Sequence, residues 1–186
     1  MTTLEDLLVD QIRDLYDAEK QLLRALPKMA EAANASELQL AIQRHLDETE
    51  NQVSRLERVF EELDKPAKGK ACKAMRGLVD EAGEAMDSQS PLSDLAIIAA
   101  AQRVEHYEIS AYGTARAIAK HLGQENVAAL LKETEEEESA ADTKLTEIAT
   151  GLLGQAKSLQ AGDGGETGRS RKSTQPVVGS RRAARG

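Results

Sequence analysis

Aromatic residues, tryptophan and cysteine are almost absent from this chain of 186 residues. Aromatics make up 2% of the sequence, tryptophan does not occur, and the single cysteine cannot form an intramolecular disulfide. The core must therefore come from aliphatic side chains, which favours helices packed on helices, since strands are enriched in aromatic and β-branched residues. A lone thiol is typical of a reducing compartment, so we expect a cytoplasmic protein.

Long apolar runs are also lacking. No stretch approaches the roughly 20 apolar residues that a bilayer-spanning helix needs. The first residues lack the basic region followed by an apolar run that marks a signal peptide. We therefore expect no membrane partner.

Charge is distributed unevenly along the chain. Net charge is −8, with 24 basic and 32 acidic side chains, but residues 169–186 hold six basic residues and no acid. The rest of the chain is therefore strongly acidic. We expect the basic segment to be a solubility extension or a weak electrostatic contact for nucleic acid, with binding to a membrane surface as a third interpretation.

Apolar residues that recur at three- and four-residue steps predict four long helices. They cover about Leu4–Ala33, about Glu37–Leu63, a segment from near Pro91 to Gly123, and about Glu125–Leu153. Ser36 is a candidate N-cap for the second helix, and Gly123 is expected to end the third. A shorter helix is predicted in the connection, over about Lys70–Met86.

Two long helix pairs, joined by a connection with a helix of its own, predict the fold. They indicate an all-α, ferritin-like antiparallel four-helix bundle with a short extra helix in the crossover. The bundle is expected to occupy residues 1–155. Residues 156–186 are rich in Gly, Ser and Arg, and cannot bury enough apolar surface to offset chain entropy, so we expect a flexible tail.

Ionisable residues interrupt the apolar stripe of every long helix. They are Glu19 in the first helix, His45 and Glu48 in the second, Glu105 and Glu108 in the third, and Glu138 and Asp142 in the fourth. Burying an unpaired carboxylate in a bundle costs several kcal/mol. A pair of divalent cations would supply the missing positive charge, and carboxylate oxygen with imidazole nitrogen suits iron or manganese.

Dimetal sites in helix bundles supply a template for these residues. It has one Glu from each of two helices and Glu-x-x-His from each of the other two. Glu19 and Glu105 fit the single-Glu positions. Glu48 fits only halfway, because Asn51 stands where the template has His, and His45 lies one turn earlier instead.

The fourth helix departs from the template in a similar way. Ala141 follows Glu138 where the template has His, and Asp142 lies one turn after Glu138. Asp142 could therefore substitute as a ligand. Glu108 is a further candidate, as a ligand or as a neighbour of the ligands.

Several stretches together resemble the YciE/YciF family of bacterial stress proteins. They are Leu15–Leu22, His45–Thr49, Glu105–Glu108 and Glu133–Asp142, and the resemblance covers about residues 3–153. It implies a ferritin-like fold, a homodimer, a carboxylate-rich metal site and a role in stress. Glu105-x-x-Glu108 also resembles the rubrerythrin pattern, in which an extra Glu accompanies peroxide-reducing di-iron chemistry.

Two functions follow from these residues. The first is a dimetal-carboxylate protein that binds two iron ions (or manganese) and acts as a ferroxidase or peroxidase. The alternative is a non-catalytic helical stress or structural protein, whose acids are a relic or a structural metal site. We expect Tyr16 and Tyr112 to fill the core with one hydrogen bond each, Cys72 to be inert, and His106 to lie at the surface.

Overall fold

Every secondary-structure element in the described part of the chain is a helix. The structure is a computed structural model that describes residues 2–86, 90 and 92–163, with side chains up to residue 154. Its helices are α1 (Leu4–Ala32), α2 (Ser36–Glu62), α3 (Lys73–Met86), α4 (Ser93–His121) and α5 (Glu125–Asp163). The chain divides into two compact units, Met1–Leu152 and Leu153–Gly186. Of the second unit, the structure describes only the helical residues up to Asp163.

Two apolar clusters define the direction of the four long helices. One cluster joins Leu8 near the start of α1 and Val127 near the start of α5 with Phe60 near the end of α2 and Ala119 near the end of α4. The other cluster joins the opposite halves of the same helices. Helices α2 and α4 are therefore parallel to each other and antiparallel to α1 and α5.

The connection between α2 and α4 runs the length of the bundle, as the ferritin-like topology requires. Helix α2 ends at one apolar cluster and α4 begins at the other. Helix α3 lies within this connection and packs against α1 and α4, with Met75 fully buried. The prediction of a ferritin-like bundle with a crossover helix is confirmed.

Side chains of α1 hold the start of the crossover. Asp17 accepts a hydrogen bond from the Cys72 amide at 2.8 Å, and the Gln21 amide donates to the Cys72 carbonyl at 3.0 Å. Gly69 lies close to α1, because a Cβ at this position would be 3.2 Å from the Asp17 Cβ. These contacts hold the connection against α1 immediately before α3 begins.

The start of α2 differs from the prediction. The N-cap is Ala35, with no side-chain cap, and Ser36 is the first helical residue. Asp94 of α4 instead accepts hydrogen bonds from the Asn34 and Ala35 amides, both at 2.8 Å. The carboxylate of a distant helix thus binds backbone donors at the α1–α2 turn, a long-range contact that local sequence does not encode.

The end of α4 agrees with the prediction, whereas the end of α5 does not. Gly123 has φ = 72° and follows the last residues of α4, a conformation that glycine adopts without steric cost. Helix α5 continues to Asp163 instead of ending near Leu153, since residues 155–161 include Gln, Ala, Lys and Leu, all good helix formers. The remainder of the predicted tail, residues 164–186, lies outside the described residues, so the domain boundary stays a prediction.

Membrane-spanning character is missing from these helices. None of the described helices combines the length and the apolarity that crossing a bilayer requires.

Candidate metal centre

A polar layer separates the two apolar clusters at mid-bundle. Glu19 of α1, Glu105 and Glu108 of α4, and Glu138 of α5 are at most 2% exposed. His45 of α2 is 6% exposed. Every long helix therefore contributes to one buried layer, and the three-residue step from Glu105 to Glu108 brings both of these carboxylates to one side of α4.

Four of these side chains form a compact group. Potential ligand atoms of His45, Glu105, Glu108 and Glu138 all lie within 4.8 Å of one another. The Nε2 atom of His45 is 3.5 Å from Glu105 Oε1 and 3.7 Å from Glu138 Oε2. Glu19 borders this group, because its charge is among those that raise the pKa of Glu108.

Many polar atoms of the layer lack a hydrogen-bond partner. They are both oxygens of Glu108, one oxygen each of Glu19, Glu105 and Glu138, and both ring nitrogens of His45. Among the described residues, no lysine or arginine makes a hydrogen bond or ion pair with the four carboxylates. Buried polar groups are normally satisfied, so this donor set fits bound cations that would use the free oxygens and nitrogens as ligands.

The electrostatics of the layer favour protonated acids in the absence of a cation. Burial, with repulsion from Glu138, raises the pKa of Glu19 to about 8, and burial likewise raises the pKa of Glu105 to about 8. The pKa values of Glu108 and Glu138 are well above the usual range, again chiefly through burial. The layer is therefore unfavourable for four negative charges.

His45 experiences opposing effects. Burial lowers its pKa, but the nearby carboxylate of Glu48, 3.7 Å from Nδ1, and the charges of Glu138 and Glu19 outweigh burial, so the pKa of His45 is raised. One imidazolium can offset only part of the charge of four carboxylates. The acids thus remain the dominant feature of the layer.

Two neutral side chains orient the carboxylates. The Tyr112 hydroxyl donates to Glu19 Oε1 at 2.5 Å. Gln52 Nε2 donates to Glu138 Oε1 at 2.5 Å and to Glu137 Oε2 at 3.0 Å. The prediction that Tyr112 fills the core with one hydrogen bond is confirmed, as is that for Tyr16, which is buried and hydrogen-bonded to an exposed acid.

Arg55 fixes α5 against α2 and was not identified from sequence. Its guanidinium group is bidentate to Glu137, with both distances at 2.9 Å, and it also donates to Thr134 at 2.7 Å and Glu133 at 2.8 Å. Arg55 lies one turn after Gln52 on the buried side of α2. The only sequence signal for this ion pair was the position of Arg55 on the buried side of α2, together with acids four residues apart on α5.

Two predicted ligands lie at the border of the layer. The Glu48 side chain is 27% exposed, and its Oε2 atom is 3.7 Å from His45 Nδ1. Asp142 accepts a hydrogen bond from Gln102 at 2.9 Å and lies 3.5 Å from the exposed His106. Neither belongs to the group of four, so their role as ligands stays a prediction.

Cys72 is buried away from the polar layer. Its Sγ atom is 3.0 Å from the Tyr107 hydroxyl, which in turn donates to Asp14. Burial raises the pKa of the Cys72 thiol, and a protonated thiol is a poor nucleophile. This environment agrees with an inert thiol.

Comparison with known proteins places this geometry in a family. The sequence model described as "Domain of unknown function (DUF892)" matches residues 3–158. The chain belongs to the DUF892 family. One relative of this DUF892 chain is Protein YciF of Escherichia coli (strain K12), which is 47% identical over 152 residues, covering 80% of this chain and 92% of YciF.

Solved structures resemble the DUF892 chain over most of its length. The crystal structure of the E. coli stress protein YciF has a TM-score of 0.80 and 45% identity, covering 83% of this chain and 99% of the chain in that structure. YcfI, a putative structural protein from Rhodopseudomonas palustris, has a TM-score of 0.76 and 44% identity, covering 78% and 94%. The predicted resemblance to the YciE/YciF family is confirmed.

Proposed function

We propose that this DUF892 protein is a dimetal-carboxylate protein that binds two iron ions (or manganese) and oxidises Fe(II) or reduces peroxide. The observation that carries the proposal is the buried layer of four carboxylates and one imidazole with unpartnered ligand atoms. Leaving such groups unpaired in a dry interior is costly. Cations bound between them offset that cost.

Each side chain has a distinct place in this proposal. His45, Glu105, Glu108 and Glu138 hold the centre of the site, and Glu19 extends it on the side of Glu108. Glu48 and Asp142, the two predicted ligands outside this group, lie at its border. Bound iron supplies one-electron redox chemistry with dioxygen or peroxide.

The surrounding residues keep the site ordered and dry. Tyr112 and Gln52 restrict the rotamers of Glu19 and Glu138 through their hydrogen bonds, as neighbours of metal ligands commonly do. The apolar clusters above and below the layer exclude water from those two sides. The orientation of these two carboxylates is thus fixed before a cation binds, which reduces the entropy lost on binding.

The direct test is metal analysis followed by an Fe(II) assay. After aerobic purification the chain should contain close to two equivalents of iron or manganese, and added Fe(II) should be oxidised faster than in buffer alone. Absence of both metals, together with Fe(II) oxidation at the buffer rate, would contradict the proposal. If the chain binds metal but does not oxidise Fe(II) faster than buffer, the site is a structural metal site and ferroxidase activity is excluded.

The second candidate is a non-catalytic helical stress protein in the cytoplasm. The description of the R. palustris relative as a putative structural protein favours it, and that of the E. coli relative as a stress protein fits both candidates. The six basic residues of 169–186 give it a weak contact for nucleic acid. Deleting residues 162–186 should then abolish a DNA gel shift at low salt, and an unchanged shift would exclude this contact.

The chain is also proposed to form a homodimer, as the resemblance to the YciE/YciF family implies. Light scattering on the purified chain measures this directly. A mass near 40 kDa, twice the 20.1 kDa of one chain, supports the dimer, and a monomer mass contradicts it.

A further inference from the structure

A groove between α2 and α5 leads from the surface to the buried layer. Its volume is about 1000 Å³, and its lining includes Ala41 of α2, Ala141 of α5 and Ala101 of α4. Because these side chains are small, the groove extends into the interior of the bundle. His45 and Glu105 are the members of the buried group that also line this groove.

The inner end of the groove has free ligand atoms. Both ring nitrogens of His45 and the Oε2 atom of Glu105 lack hydrogen-bond partners, and both residues are more than nine-tenths buried. An ion that reaches the end of the groove therefore meets imidazole and carboxylate donors. Glu19, Glu108 and Glu138 do not line the groove. Ligand atoms of Glu108 and Glu138 lie within 4.8 Å of those of His45 and Glu105.

Glu48 lies between the solvent and these inner donors. Its Oε1 atom accepts a hydrogen bond from Arg44 at 3.0 Å, and the Arg44 side chain is 76% exposed. Its Oε2 atom faces His45. An exposed ion pair contributes little to stability, so an arriving cation can replace Arg44 beside Glu48 at low cost.

We propose that the groove is the path by which hydrated divalent cations reach the buried site, and that Glu48 is the transfer ligand that passes them to His45 and Glu105. This inference rests on the proposed metal centre. Charge complementarity supports a cation over an apolar occupant, because the lining contains six glutamates besides Glu105, and only four lysine or arginine side chains of the described residues pair with those six. Acid-lined clefts raise the local cation concentration and the association rate.

The test is stopped-flow loading of the metal-free full chain with Co(II), followed by its visible absorption. Glu48→Gln should slow loading about tenfold at low salt, with a smaller difference at high salt, because it removes an attracting charge. Glu50→Gln is the matched control, since Glu50 is exposed on α2 and outside the groove lining. It should load at the wild-type rate.

Narrowing the groove supplies an independent readout. Ala41→Leu and Ala141→Leu, on opposite walls, should slow association and dissociation of Co(II) by the same factor and leave the equilibrium affinity unchanged. If the wild-type chain binds Co(II), but Glu48→Gln and both leucine variants load at the wild-type rate, the proposed path is wrong and the metal centre stands. Failure of the wild-type chain to bind Co(II) would overturn the metal centre itself.

Discussion

Stripped of metal, the chain should lose thermal stability as the pH rises from about 5 to 8. Burial raises the folded-state pKa values of Glu19 and Glu105 from 4.5 to about 8. Between these pH values the folded state keeps protons that the unfolded chain releases, so the free energy of unfolding falls with rising pH. The stabilising effect of protonation is complete below pH 4.5 and is lost as the pH passes 8.

Bound metal should remove this loss, because ionised carboxylates are then paired with cations. A cation at about 1,000 times its Kd adds ~4 kcal/mol. For a chain of this size each kcal/mol raises Tm by ~2–4 °C, so we expect a difference of about 10 °C or more at pH 8. Calorimetry of metal-free and Mn(II)-loaded protein at pH 5.5 and 8 measures it.

A matched variant checks the source of the pH effect. Glu105→Gln removes one of the titrating groups and should flatten the pH dependence of the metal-free protein. Metal-free wild-type protein that is equally stable at both pH values, or more stable at pH 8, would contradict this prediction. The pKa values of the buried carboxylates would then not be raised in the folded state.

Glu138→Gln should abolish tight metal binding and stabilise the metal-free bundle. The substitution keeps the shape of the side chain and lets Gln52 keep a partner, but it removes one buried negative charge. Losing residues that merely support metal ligands costs ~10–100-fold in affinity. Replacing a carboxylate of the central group should therefore cost at least about 100-fold, measured by Mn(II) titration calorimetry.

Glu136→Gln is the control for this variant. Glu136 lies on the same helix, its side chain is 65% exposed, and it pairs with Lys132 at the surface. It lines the groove but is outside the buried group, so it bears on the rate of cation entry and not on the bound state. Equilibrium affinity and Tm should both stay at wild-type values. Equal effects of the two substitutions, or wild-type affinity in Glu138→Gln, would show that the buried position of Glu138 is irrelevant to metal binding.

The helices and most of the buried acids were predictable because both depend on local periodicity. An acid at a three- or four-residue step from core leucines must face inward if the helix is amphipathic. Glu19, Glu105, Glu108 and Glu138 all follow this rule and are all buried. The same periodicity located the crossover helix and the topology.

Glu48 shows where periodicity becomes ambiguous. His45, Thr49 and Gln52 lie close to one line along α2, and all three are buried. At 100° per residue, position 48 falls to one side of that line. Glu48 therefore lies at the edge of the layer. Three- and four-residue steps do not resolve this rotation about the helix axis.

Contacts between residues far apart in the chain could not be predicted from the sequence. Arg55 is buried because two acids of α5 happen to face it, and Asp94 binds the turn before α2 from a helix about 60 residues away. Neither contact follows from the local pattern. Both require the packing of helices that the sequence predicts only in outline.

An anomalous-scattering crystal structure of the protein soaked with Fe(II) or Mn(II) is the most direct test of the metal centre. We predict two anomalous peaks within the polar layer, in contact with Glu105, Glu108, Glu138 and His45. Peaks confined to surface carboxylates, with the buried group free of metal at saturating concentration, would contradict this account.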